Sequence, residues 1–227
     1  MSSLKALLFI VSCALALSAC SSNTPQPQLT LPINGTIAGL PAGIDLSQPG
    51  TVLEATNGSG TVLASATPNA DGTFSLTLNQ PTADQLDLGI NGSELQAQAT
   101  ATGYDCDSLE VSPSGARAAI VYFLTINQDE TRMGKLALAS SAEVAAAFSG
   151  HSVLPSTEGR AHIYVYVDQP TTLTGTNCLR ASNWDVSFSQ QLSTGWNHFG
   201  LIKNAGELDT IEIGFPSSHG DLWQYFN

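Results

Sequence analysis

The sequence predicts an all-β protein made of two antiparallel β-sandwich domains that follow a signal peptide and a flexible tether. Short segments alternate between apolar and polar residues at a period of two, as half-buried strands do. Turn dipeptides such as Asp71-Gly72 separate these segments at short intervals. Lysine and arginine are absent between Lys5 and Arg117, and this break in composition favours two domains.

Residues 1–19 are predicted to be a signal peptide, because a short basic start precedes the apolar run 6–16. That run is shorter than the roughly 20 residues that a spanning helix needs. Leu17-Ser18-Ala19-Cys20 resembles the lipobox of bacterial lipoproteins, which implies cleavage before Cys20 and its acylation. A plain signal peptide with an incidental cysteine is the alternative. Ser21 resembles the pattern sorted to the outer membrane of diderm bacteria, so an extracytoplasmic, lipid-anchored location is expected.

Residues 20–30 are predicted to be the lipidated cysteine and a polar, uncharged, proline-containing tether. The chain carries a net charge of −12, and loss of Lys5 with the signal makes it about −13. This balance opposes binding to nucleic acid, which depends on cationic contacts with phosphate. It also opposes adsorption to anionic lipid, so acyl chains on Cys20 are expected to provide the membrane contact.

Residues 31–103 are predicted to form the smaller sandwich. Its expected turns are Asn34-Gly35, Pro49-Gly50, Asn57-Gly58, Asp71-Gly72 and Asn91-Gly92. Gly35-Thr36-Ile37, the Gly39–Gly43 segment and Asn69-Ala70-Asp71-Gly72-Thr73-Phe74-Ser75-Leu76 resemble the carboxypeptidase-regulatory-like (transthyretin-like) sandwich. The resemblance implies a structural or adhesive module.

Residues 104–227 are predicted to form the larger sandwich. The nearly continuous apolar run 118–126 indicates a central strand buried on both faces, and 132–139 is expected to pair with it. Residues 161–168 alternate cleanly, and 141–148 is the helical candidate, with Ser140 and Glu143 at capping-box spacing. The "xYVYVD" strand and the Gly195-Trp196-Asn197 turn resemble modules of envelope lipoproteins of uncertain function.

Two cysteines remain after the signal peptide and the lipidated position are set aside. Cys106 and Cys178 form an even pair in an oxidising compartment, which predicts a disulfide. Two separate buried thiols are the alternative.

Histidine is the commonest metal ligand, so a copper or zinc site would use members of one set. The set is His151, His162, His198 and His219. A sandwich with a disulfide and four histidines is similar in outline to copper superoxide dismutases, but the His-x-His pair of that family is missing.

The sequence also predicts a binding face on the larger sandwich. Its members are His162, Tyr164, Tyr166 and Trp196, whose rings could stack on a sugar or a polyene; a face half-buried by a neighbouring loop is the alternative. Residues 217–221 read as a polar loop rather than a catalytic triad, and Asp105, Asp107 and Glu110 as solvated acids rather than a calcium site.

No catalytic residue and no cofactor are predicted, and an enzyme is not expected. The expected function is a non-catalytic cell-envelope lipoprotein with a structural or ligand-binding role, whose partner is another envelope protein or polymer. A histidine-dependent metal-binding or redox lipoprotein is the alternative.

Overall fold

The computed structural model describes residues 27–86, 104–105, 108–149, 159–180, 184–203, 211–214 and 220–226. Within these ranges the protein consists of β-strands and one short helix, which confirms the all-β class. The first strands are β1 (Leu31–Ala38), β2 (Thr51–Thr56), β3 (Val62–Ala66), β4 (Thr73–Leu78), β5 (Tyr104–Asp105), β6 (Ser108–Ser112), β7 (Ala118–Val121), β8 (Leu124–Gln128) and β9 (Thr131–Ala139). The helix α1 (Ala142–Ser149) follows, and then β10 (Gly159–Val167), β11 (Thr171–Arg180), β12 (Trp184–Leu192), β13 (Gly195–Lys203), β14 (Ile211–Gly214) and β15 (Leu222–Phe226).

The larger sheet contains strands from both halves of the sequence, in the order β3-β2-β8-β9-β15-β1-β4 along one path. Its members β2 and β8 pair antiparallel, and β1 pairs in parallel with β15. The two ends of the path, β3 and β4, contact each other, so the sheet nearly closes on itself. The predicted pair of sandwiches with a boundary near residues 103–116 is therefore not confirmed. Lysine and arginine mostly stay at protein surfaces, so their absence from one half need not mark the limit of a core.

The main hydrophobic core is also shared between the two halves. Buried side chains from β1, β2 and β4 pack against buried side chains from β8, β9, β10 and β15. Leu53, Leu78, Leu124 and Leu136 are all completely buried in this cluster. A separate cluster on the other face of β10 contains Val165 and Val167.

The apolar run 118–126 forms two strands instead of the single predicted one. β7 pairs with β10 and β8 pairs with β9, so the two parts of the run are hydrogen-bonded to two different strands. Both faces of each strand are buried, since the adjacent residues Ala118 and Ala119 of β7 and Leu124 and Thr125 of β8 are no more than 2% exposed. Between the two strands, Tyr122 is 41% exposed, so the burial is not continuous along the run. The predicted pairing of 132–139 with this run is also confirmed.

Gly35, predicted to lie in a turn, instead lies within β1 opposite Phe74 of β4. A Cβ built at this position would be only 2.2 Å from Cδ1 of Trp223. The indole of Trp223 occupies the space that a side chain would need. The glycine here permits close packing rather than a change in chain direction.

The predicted helix at 141–148 is confirmed as α1, with a different capping residue. The backbone N–H of Val144 donates to Oγ of Ser141 at 3.2 Å, so Ser141 caps the helix. The hydroxyl of Ser140 accepts instead from the backbone N–H of Arg160 at 2.9 Å. Val144 and Ala145 pack with Phe226 in a small cluster beside the main core.

The second sheet is built around β11, which pairs with β12 on one side and with β5 and β6 on the other. The start of the fold is held against β13, where Gln28 forms a parallel bridge with Gly195. The backbone N–H of Trp196 donates to the carbonyl of Gln28 at 2.8 Å. No helix within the described residues is long and apolar enough to cross a membrane.

Candidate functional site

The candidate site begins with the pairing of β10 and β13. In this antiparallel pair Tyr164 lies opposite His198, and His162 lies opposite Gly200. His162 and His198 are therefore diagonal neighbours, a relation in which long or aromatic side chains can touch.

The site also contains a carboxylate, that of Asp221, which is positioned by β15. Leu222 pairs with Ala139 of β9, and Ala139 pairs in turn with Ala161 of β10. Asp221, the residue just before β15, is thereby carried to the level of Arg160 and His162. Residues far apart in sequence meet because three strands share one register.

Asp221 is held by two parallel hydrogen bonds from one guanidinium group. Nη2 of Arg160 donates to Oδ1 at 2.9 Å, and Nε donates to Oδ2 at 3.1 Å. The Asp221 side chain is 2% exposed and that of Arg160 is 36% exposed. Such a bidentate pair fixes the orientation of the carboxylate as well as its charge.

Two histidines extend this pair into a linear hydrogen-bonded array. Nε2 of His162 lies 2.5 Å from Oδ2 of Asp221, and its Nδ1 lies 2.9 Å from Nε2 of His198. The His162 side chain is completely buried. We call Arg160, Asp221, His162 and His198 the buried polar array.

A series of stacked aromatic rings connects the array to the hydrophobic core. The rings of His162 and His198 are stacked with centroids 5.0 Å apart, and His198 stacks on Tyr164 at 4.8 Å. Tyr164 in turn stacks with Trp223 at 6.3 Å, and Trp223 meets the edge of Phe74. The imidazole of His198 therefore contacts His162 on one side and, through Tyr164, the aromatic core on the other.

An open cavity of about 360 Å³ lies beside these rings. Its walls are formed by residues 31–35 of β1, by Leu138, and by the side of the site that carries Tyr164, His198, Asp221 and Trp223. We call it the β1 cavity. Its volume is within the range of about 300–1,000 Å³ that small-molecule sites occupy.

The environment shifts the pKa of every titrating member of the array. Burial would raise the pKa of Asp221, but the hydrogen bonds from Arg160 and His162 outweigh burial and lower it. Burial lowers the pKa of His162, against the opposing effect of Asp221. Burial and the neighbouring His162 lower the pKa of His198 to about 4. At neutral pH the carboxylate is therefore charged and both imidazoles are neutral.

The predicted binding face lies inside the protein. His162, Tyr164, Tyr166 and Trp196 are 1%, 7%, 2% and 3% exposed, respectively. Tyr166 and Trp196 form an edge-to-face pair at 5.5 Å, and Nε1 of Trp196 donates to the carbonyl of Asn79. These four residues are therefore core residues in the described structure, and of them only Tyr164 lines the β1 cavity.

Of the four predicted metal ligands, the structure brings His162 and His198 together. His151 and His219 lie outside the described residues, as do Cys20 and Cys106, and of Cys178 only the backbone is described. Within the described ranges, no group of three or more His, Cys, Asp or Glu residues is arranged to hold a metal ion.

Arg160 and Trp223 belong to the site but do not appear among the residues that the sequence predicted for it. Arg160 could have been found, because it stands two residues before His162 and so shares the strand face of His162 and Tyr164. The sequence places Asp221 only in the predicted polar loop of residues 217–221. Its role depends on the pairing of β15 with β9, which no local pattern reveals.

No protein-family model matches this sequence. The search of curated proteins and the search of solved structures also found no match.

Proposed function

We propose that this protein is a non-catalytic lipoprotein of the cell envelope, anchored through Cys20, that binds a ligand in the β1 cavity. The observation that carries the proposal is the β1 cavity itself, which has aromatic walls and a buried polar array at one side. The anchor and the outer-membrane location rest on the lipobox resemblance of residues 17–20.

The polar array supports binding more than structural stability. A buried ion pair with its hydrogen bonds contributes little more stability than apolar residues of the same volume would. It does fix the position and the hydrogen-bonding character of the side chains that it holds. In this protein it fixes His198, whose ring lines the β1 cavity.

The test compares two bulky substitutions on the same face of β1. Asn34 is exposed and lines the cavity, whereas Thr36 is exposed two residues further along and does not line it. Asn34→Trp should fill the cavity, and Thr36→Trp should leave it open. Immobilised mature protein would be incubated with detergent-solubilised native envelopes, and bound polymers and proteins identified by mass spectrometry.

We expect at least one bound component to be lost with Asn34→Trp and kept with Thr36→Trp. If the wild type and both variants capture the same components in equal amounts, the cavity is not the binding site and the proposal is wrong.

Metal binding is the second candidate function, and one observation favours it. Nδ1 of His162 and Nε2 of His198 converge to 2.9 Å, and Asp221 lies behind His162 as carboxylates do behind metal-bound histidines. Elemental analysis of protein purified without chelators distinguishes the two candidates. Stoichiometric copper or zinc that disappears with His162→Gln would establish the metal site, and its absence would leave ligand binding as the proposal.

A further inference from the structure

The hydrogen-bonding character of the β1 cavity follows from the order of groups in the buried polar array. Both oxygens of Asp221 accept hydrogen bonds from Arg160, and an ionised carboxylate can only accept. Nε2 of His162 faces this carboxylate at 2.5 Å, so Nε2 must carry the proton and donate it.

The same logic passes to the second ring. A neutral imidazole has one donor and one acceptor nitrogen, so protonation at Nε2 makes Nδ1 of His162 an acceptor. Nε2 of His198 lies 2.9 Å from that acceptor and must donate to it. The proton of His198 is therefore on Nε2, and its Nδ1 carries a lone pair.

Nδ1 of His198 makes no hydrogen bond with any of the described residues, although the ring lines the β1 cavity. It is the one nitrogen of the two rings that is not engaged within the array. A ligand that occupies the cavity can thus satisfy Nδ1 only by donating a hydrogen bond to it.

The other walls of the cavity restrict the chemical class of the ligand further. Tyr164 and Trp223 line the cavity but are only 7% and 2% exposed, because the Tyr164 ring is stacked between His198 and Trp223. Residues 31–33 of β1 add apolar side chains to a wall that is otherwise mixed in character, with Asn34 and Asp221 among its polar members. The guanidinium of Arg160 is paired with Asp221, and the chain as a whole carries a charge of −12, which disfavours an anionic ligand. A cation is disfavoured as well, because the charge of Asp221, which lines the cavity, is already compensated by its ion pair with Arg160.

We infer that the ligand of the β1 cavity is a neutral, hydroxyl-bearing ring of the saccharide class, one of whose hydroxyl groups donates a hydrogen bond to Nδ1 of His198. A sugar ring offers what the cavity requires, a hydroxyl donor for the imidazole and C–H groups for the apolar part of the mixed wall. The inference rests on the proposed function and specifies the ligand class of that same site.

The first test needs no ligand. Long-range ¹H–¹⁵N correlation NMR at pH 7 on the mature protein reports which nitrogen of each imidazole is protonated. We expect the Nε2–H form for both His162 and His198. A His198 ring protonated at Nδ1 would overturn the inference, because the cavity would then present a donor.

The second test uses paired probes. Saturation-transfer difference NMR would be recorded with the methyl glycosides of glucose, galactose, mannose and N-acetylglucosamine, and with their fully O-methylated derivatives, which lack hydroxyl donors. We expect at least one glycoside to bind and its methylated derivative to bind about tenfold more weakly, the factor that one hydrogen bond of about 1.4 kcal/mol represents. Equal binding of the two forms would overturn the inference.

Two variants test whether the saturation-transfer signal arises from binding in the β1 cavity. His198→Phe keeps a ring on Tyr164 but removes the acceptor, and should abolish the difference between the two probe forms. Leu222→Ala is the control, because Leu222 is 42% exposed and does not line the cavity; it should bind like the wild type. Thermal unfolding followed by circular dichroism verifies that each variant is folded.

The outcomes separate this inference from the proposed function. If no glycoside binds while Asn34→Trp still abolishes capture of an envelope component, the saccharide class is wrong and ligand binding stands. If no glycoside binds and no capture depends on the cavity, both proposals fail.

Discussion

Asp221 controls the buried polar array, because it accepts from Arg160 and from His162 at the same time. At 2% side-chain exposure, its charge is removed from water, and among the described residues Arg160 and His162 are the partners that compensate it. Each member of the array therefore depends on the protonation state of the next. The behaviour of the protein as the pH changes should reflect this dependence.

We predict that the protein loses stability as the pH falls below about 6.5. Both His162 and His198 have a lower pKa in the folded protein than the ordinary value near 6.5, so the unfolded state takes up protons first. Their contribution is present above about pH 6.5 and is lost progressively toward about pH 4, the pKa of His198. Urea unfolding measured between pH 7.5 and 4.5 checks this.

The His198→Gln variant should show a flatter pH profile than the wild type, because one of the two shifted groups is absent. Glu110→Gln, on an exposed position of β6, serves as the control and should follow the wild-type profile. Stability that rises on acidification would contradict the interpretation.

A second residue-scale prediction concerns the turn between β8 and β9. Asp129 and Glu130 have φ values of 47° and 65°, a conformation that costs residues other than glycine roughly 1–2 kcal/mol. Glu130→Gly should therefore raise the free energy of unfolding by about 1 kcal/mol, measured by urea denaturation. Thr131→Gly, within β9, should lower it by about 0.5–1 kcal/mol. If both variants were destabilised equally, the conformation at Glu130 would not be strained.

Close packing between strands depends on glycine at several points, one of which is Gly35 of β1, next to Trp223. We predict that Gly35→Ala lowers the free energy of unfolding by about 1–3 kcal/mol, because its Cβ would lie 2.2 Å from the indole. Gly43→Ala is the matched control, since a Cβ there meets nothing within 4 Å. Thermal unfolding compares the two, and an unchanged midpoint for Gly35→Ala would show that Trp223 can move aside.

The disulfide between Cys106 and Cys178 that the sequence predicts stays a prediction, although strands on either side of Cys106 pair with β11. Leu179 pairs with Asp105, and Thr176 pairs with Ser108, so the same register holds on both sides of Cys178. Cys106 itself lies outside the described residues. We predict that the two thiols are bonded, which intact mass after alkylation without reductant would verify. Two alkylated thiols in native protein would refute the bond.

The elements were more predictable than their arrangement. The alternation of residues 161–168 correctly places His162 on the face of Tyr164 and Tyr166, because a period of two is a local property. The pairing of Arg160 with Asp221 joins residues 61 positions apart and depends on the order of strands. The burial of these residues also depends on the arrangement of strands. Aromatic residues on one face of a strand can line a surface or a core, and which of the two they do depends on the elements that pack against that face.

At the scale of the whole molecule, the two halves of the sequence share one sheet and one main core. Residues of β2 lie against β8, and β1 lies against β15, the last strand of the chain. The first half should therefore not fold without the second. The attachment to the membrane that we propose would depend instead on a single residue, Cys20.

We predict that Cys20→Ser releases the protein from membranes or leaves it unprocessed, because the acceptor for acylation is removed. Fractionation of cells expressing the variant, followed by immunoblotting, measures the membrane-bound share. Cys13→Ser, within the signal peptide, is the matched control and should remain membrane-bound. A Cys20→Ser protein that sediments with membranes as fully as the wild type would contradict the lipoprotein assignment.

The bridge between Gln28 and Gly195 would set the reach of the protein from the proposed anchor at Cys20. Seven residues lie between Cys20 and Gln28, so the two are eight steps apart along the chain, and at no more than about 3.6 Å per step a fully extended segment would span at most about 29 Å. With Cys20 acylated, as we propose, the start of the fold would stay within this distance of the bilayer surface. The proposed ligand of the β1 cavity would then have to come close to the membrane, since the segment is too short to carry the protein far from it.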